Sequence, residues 1–92
     1  MNVFSLDSLL LHDRKSIFLV RVKGKRRRLS LWPGDILVVN KNLALEKNKL
    51  AVLVVNGKFT IDIVTQDFIN KNDPENGNFV WGMIQNVVRE LK

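Results

Sequence analysis

Few side chains in this sequence could carry chemistry, and most of them stand alone. The chain has no Cys and a single His, His12. That excludes disulfide staples, thiolate zinc sites and cysteine nucleophiles, and it leaves no material for a multi-His metal centre or a Ser-His-Asp triad. His12 follows Leu9-Leu10-Leu11 and reads as the end of a short helical turn rather than as a general base. Asp73-Pro74-Glu75-Asn76-Gly77-Asn78 collects oxygen donors but lacks the spaced acidic pattern of a calcium loop, so it reads as a plain turn. Gly24 and Gly34 do not form a phosphate loop, because neither a Gly-Lys-Ser/Thr ending nor a strand–loop–helix context accompanies them. Trp32 and Trp81 have flat faces on which nucleotide bases could stack, and packing in a core or interface is the commoner fate of such rings. No metal and no cofactor is implied.

Charge is the stronger signal. Arg14, Lys15, Arg21, Lys23, Lys25, Arg26, Arg27 and Arg28 are eight of the 15 basic residues, and no acidic residue lies among them. The rest of the chain holds seven basic and nine acidic residues, so the whole excess behind the net +6 sits in one stretch. Such asymmetry points to an anionic partner, either nucleic acid or an acidic protein face, and a merely solvated basic loop is the equally weighted alternative.

The elements that must position these residues read mainly as β. At 92 residues and 46% hydrophobic content the chain is one domain, able to bury roughly 60–65% of its unfolded surface. Ser5 to His12, with Ser5 or Asp7 as N-cap, predicts one or two helical turns pinning the N-terminus. Ser16 to Lys23 alternates as a half-buried strand, with Phe18, Val20 and Val22 on one face. Trp32-Pro33-Gly34-Asp35 is a turn, and the β-rich run that follows to Val39 predicts a strand covered on both faces. Residues 40–49 read as a surface connection. Leu50–Val55 and Lys58–Thr65 flank Asn56-Gly57, the favoured type I′ hairpin pair. Residues 66–78 read as a loop, and Phe79 to Leu91 as a last extended segment with edge-strand character, where Gly82 marks a bulge or a close backbone approach. No apolar run reaches the ~20 residues that span a bilayer, and the N-terminus lacks the order of a signal peptide, so a soluble cytoplasmic protein without a membrane partner is expected. Homo-oligomerisation would supplement so small a core.

The order of segments resembles the C-terminal, self-cleaving domain of the LexA/UmuD family, whose fold is shared with bacterial signal peptidases. The resemblance rests on Leu6-Asp7-Ser8-Leu9-Leu10, on 18–24 (Phe-Leu-Val-Arg-Val-Lys-Gly), on 32–39 (Trp-Pro-Gly-Asp-Ile-Leu-Val-Val), on 54–61 (Val-Val-Asn-Gly-Lys-Phe-Thr-Ile) and on 80–89 (Val-Trp-Gly-Met-Ile-Gln-Asn-Val-Val-Arg). It covers nearly the whole chain and is nearest to the UmuD type, since the chain has no room for a repressor's DNA-binding domain. It implies a single domain of twisted antiparallel sheets over 1–92.

Family members activate a Ser, two residues after a Gly, with a neutral Lys that follows a Phe-Thr-Val type of strand. Those positions fall on Arg26 and Asp62 here. A Ser–Lys mechanism needs a hydroxyl to attack and an amine whose pKa is lowered by desolvation. Arg26 has no hydroxyl and stays protonated, and Asp62 has no nucleophile to serve. Ser30, the nearby hydroxyl, stands four residues too late, and the arm carrying the family's cleavable Ala-Gly or Cys-Gly bond is not found. The expectation is a pseudo-peptidase, not an enzyme. The paired replacement suggests either an Arg26–Asp62 ion pair or two separately solvated charges.

The resemblance further implies a homodimer, or a heterodimer with a UmuD-like relative, through Phe79, Trp81, Met83, Val87 and Val88. It also implies work in the DNA-damage (SOS) response as a translesion-polymerase accessory, resembling the truncated active form, or as a dominant partner. The competing reading is direct, weakly selective nucleic-acid binding through Arg14 to Arg28.

Overall fold

The computed structural model describes the backbone of Asp7–Leu11 and residues 16–89. It is a mainly β domain built on one six-stranded antiparallel sheet. The strands are β1 (Asp7–Leu11), β2 (Ile17–Val22), β3 (Ile36–Asn40), β4 (Leu50–Val55), β5 (Lys58–Ile63) and β6 (Phe79–Val88), in the order β1-β2-β3-β6-β4-β5. Short 3₁₀ turns occupy Arg27–Leu29 and Pro74–Asn76, and one helix, α1, spans Gln66–Asn70. Among the described residues no helix is long and apolar enough to cross a membrane.

The N-terminal helical turn is corrected to a strand. β1 pairs with β2 from Asp7↔Val22 to Leu11↔Phe18. A helix this short is marginal by itself, whereas pairing on the open edge of β2 satisfies the backbone of the Leu run at once. His12, Arg14 and Lys15 lie outside the described residues.

The strand covered on both faces is β4, not β3. Leu37 and Val39 of β3 are fully buried while Ile36, Val38 and Asn40 are only half-buried. In β4, Ala51 to Val54 are all buried. Val52 joins a core with Val20, Val22, Leu31, Leu37, Val39 and Ile61, whereas Ala51 and Leu53 pack with Val64 and Met83 on the other side. That second layer exists because residues 66–78 are not all loop. Thr65 Oγ1 accepts the Phe68 N–H at 3.0 Å, capping α1, and Phe68 and Ile69 close over the second cluster. A five-residue helix is too short to show a periodic pattern, which is why the sequence reads as a connection.

β6 is interior rather than an edge. Its first half pairs with β4 and its second half with β3, and the register skips Trp81 against β4 and Gln85 against β3. These two bulges let one long strand serve two neighbours. Gly82 bears out the bulge reading, since it borders the first bulge; the close neighbour is a side chain rather than a backbone, because an added Cβ would lie 2.7 Å from Val39 Cγ1. Val39 is short, β-branched and fully buried, so it cannot swing aside. Gly82→Ala is therefore expected to lower unfolding stability by about 1–2 kcal/mol in a urea titration. The hairpin is as expected: Val55 faces Lys58 across Asn56 (φ 51°) and Gly57 (φ 80°).

Candidate functional site: a basic loop beside a half-buried ion pair

After β2 the chain enters a loop whose base is fastened by two backbone bonds. Arg26 N–H donates to Leu31 O at 2.8 Å and Leu31 N–H returns to Arg26 O at 3.0 Å. Leu31 is buried in the main core and the half-buried Leu29 packs against it, so two apolar side chains seat the loop. Between these points Arg27–Leu29 form the 3₁₀ turn and Ser30 takes a left-handed conformation at φ 57°. Arg26 is half-buried at the base, whereas Lys25, Arg27 and Arg28 are exposed, as are Arg21 and Lys23 on the approach. The fold thus keeps the basic cluster together and presents it outward.

The ion pair predicted for Arg26 and Asp62 forms with a different guanidinium. Arg28 Nη2 donates to Asp62 Oδ1 at 3.0 Å, and the same oxygen accepts the Ile63 N–H at 2.7 Å. The bridge to Leu31 holds Arg26 at the loop base, and the 3₁₀ turn carries Arg28 across to β5. With side chains 70% and 38% exposed, this pair contributes at most about 1 kcal/mol. It links the loop to the last strand of the sheet rather than holding the fold together.

Sequence reasoning missed the better-built polar group. Asp35, only 2% exposed, receives Arg89 Nε at 2.8 Å and Nη2 at 2.7 Å, one on each carboxylate oxygen, and the Trp32 N–H at 2.9 Å. Arg89 also donates to Ser30 O at 2.9 Å. The Arg89 hydrogen bonds hold the Asp35 carboxyl below its ordinary value, outweighing the upward push of burial, and the Trp32 N–H adds to the lowering. One arginine beyond β6 therefore fixes the Trp32–Asp35 turn and the end of the basic loop together. The Pro-Gly turn is visible locally, with Gly34 at φ 95°, but its partner stands 54 positions away and no spacing rule reaches it.

The two tryptophans part ways. Trp81 packs against Phe18 and Phe59, with ring centroids at 5.0 and 5.8 Å, and Lys41 Nζ lies 4.1 Å from its centroid. Trp32 is 36% exposed at the foot of the basic loop, with Lys25 Nζ 5.0 Å from its centroid. The proposed interface residues also divide. Met83 belongs to the core and Trp81 to the aromatic cluster, and Phe79 is half-buried, which leaves Val87 and Val88 exposed. These five are not one surface, because the first half of β6 packs against both core clusters and only its last residues are left exposed.

Comparison of the chain with family models, with curated proteins and with solved structures found no match.

Proposed function

We propose that this chain is a noncatalytic, UmuD-like pseudo-peptidase that acts by binding protein partners in the cytoplasm. Its role would be in the DNA-damage response, as a translesion-polymerase accessory or as the dominant partner of an intact relative. The observation that carries the reading is the Arg28–Asp62 pair beside Arg26. A guanidinium stands where the resemblance puts the nucleophile, and the carboxylate where it puts the base is engaged by an arginine. Neither group can be a hydroxyl nucleophile or a neutral amine.

An apolar strip on the outward face of the sheet supports the reading. Arg21, Ile36 and Val88 stand in one cross-strand row, and they line an open concavity of about 540 Å³ with Gly34. Val88 is the most exposed large apolar side chain among the described residues, and Leu19 and Val38 continue the face in the next row. Burying this face in a dimer would supplement a small core.

Sedimentation velocity on the purified chain, alone and mixed with a processed UmuD-type protein, tests the reading. A homodimer or a mixed dimer is expected, shifted toward monomer by Val88→Asp, with the chain staying intact through prolonged incubation at alkaline pH. A monomer at every concentration and in the mixture, or a defined fragment whose yield per molecule is independent of protein concentration, overturns it.

A further inference from the structure

We infer that the loop from Lys25 to Trp32 is a contact site for single-stranded nucleic acid, a role separate from the partner binding proposed above. Three observations converge on it. The first is where the charge ends up. Within residues 16–89, six basic residues lie between Arg21 and Arg28 with no acidic residue among them, and the remaining six basic and six acidic residues cancel. Within residues 16–89 the excess charge is therefore a local feature of this loop and its approach strand.

The second observation concerns the acidic groups that could quench that charge. Asp35 is taken up by Arg89, just beyond β6, and Asp62 by Arg28. Lys25 and Arg27 remain exposed on the same loop. When a phosphate approaches Lys25 and Arg27, the carboxylates that the turn and β5 contribute, Asp35 and Asp62, already hold other partners.

The third is Trp32. In a domain whose core is thin, this large ring lies outside both core clusters and stays 36% exposed. Its backbone, held by Asp35, fixes its position, and the Lys25 ammonium lies 5.0 Å from the ring centroid. A cation over an indole face marks a ring face that is open to a planar or cationic neighbour. When a phosphate draws Lys25 toward itself, a base can take its place on the ring. Basic side chains that follow the backbone, with an aromatic platform for a base, are the two parts that single-strand binding requires. An acidic protein face would use the cations but has no need of the ring. Duplex DNA hides its base faces, and the described residues include no helix long enough to read a major groove.

Fluorescence anisotropy of the full chain with labelled oligothymidylate, at several salt concentrations, reads the site directly. Binding at low salt is expected with a log–log salt slope near −2, as about three phosphate contacts on a single strand would give. Trp32→Ala should weaken binding about tenfold and leave the slope unchanged, since stacking adds no counterion release. Lys25→Ala with Arg27→Ala should weaken binding and make the slope shallower by about 1.4. Circular dichroism checks that each variant is folded, and Trp32→Phe, which keeps a platform, should recover most of the affinity. Absence of binding at low salt overturns the inference. So does a folded Trp32→Ala protein that binds as tightly as the parent, or competition by polyglutamate equal to that by unlabelled oligothymidylate, because either result describes a general polyanion or acidic-protein site.

Discussion

Leu31→Ala is expected to cost about 3 kcal/mol of unfolding stability, a large part of what a domain of this size possesses. Leu31 is the one fully buried residue of the basic loop, seated in the main core with residues from β2, β3, β4 and β5, while the half-buried Leu29 packs against the same cluster. Truncation removes its burial and leaves a hole in the cluster that Leu31 shares with Val20, Leu37 and Ile61, which the sheet cannot close without moving a strand. The denaturation midpoint in urea should fall with no change in slope, since the surface exposed on unfolding is nearly the same. Leu43→Ala is the control: Leu43 is an exposed residue of the connection after β3 and should change stability by less than about 0.5 kcal/mol. If Leu31→Ala were as mild as the control, the loop would not be seated on the core. The spacing of Lys25, Arg27 and Trp32 would then have no structural basis.

How far the sequence discloses this arrangement depends on whether each feature is local. The alternation of Phe18, Val20 and Val22 and the Asn56-Gly57 pair each specify structure within a few residues, and both strands and the hairpin stand where those patterns place them. Pairing partners are not local. Nothing between Phe79 and Val88 signals that β6 enters between β3 and β4, and its apolar run reads equally well as an edge. The Leu run at the N-terminus is ambiguous for the same reason: three leucines fit a helical turn or a strand, and the vacant edge of β2 decides. The site shows a similar division. The basic cluster is legible because it is contiguous in the chain. That Arg28 rather than Arg26 meets Asp62 follows from a 3₁₀ turn and a two-bond bridge, neither of which has a strong residue signature. Trp32 and Trp81 look alike as letters, and only the packing of Phe18 and Phe59 on Trp81 separates a structural ring from an exposed one.

Asp35→Ala is expected to cost about 2 kcal/mol, set by two opposing considerations. Removing one partner of a fully buried pair costs about 3–5 kcal/mol, and an exposed pair contributes about 0–1. Asp35 is 2% exposed but the Arg89 side chain is 41% exposed, so water recovers part of the loss on the arginine side. The Trp32 N–H loses its acceptor as well. Acid titration supplies the sign. Folding lowers the pKa of Asp35 from its ordinary 3.8, so the unfolded chain binds the proton more readily than the folded one does. This contribution is complete above pH 3.8 and is lost as pH falls below it, through the folded-state value. Asp35→Asn keeps the size and an acceptor for Trp32 but not the charge, so its deficit relative to the parent should be full near neutral pH and shrink in acid. A deficit that stayed constant down to strongly acid pH would mean that Asp35 contributes through shape and not as a carboxylate. Because Arg89 also holds Ser30 O, losing the carboxylate frees the arginine that fixes both ends of the Ser30–Asp35 segment. Trp32 sits within it, so a variant that stays folded should still show a more mobile Trp32, with lower steady-state fluorescence anisotropy than the parent once Trp81 is replaced by Phe in both.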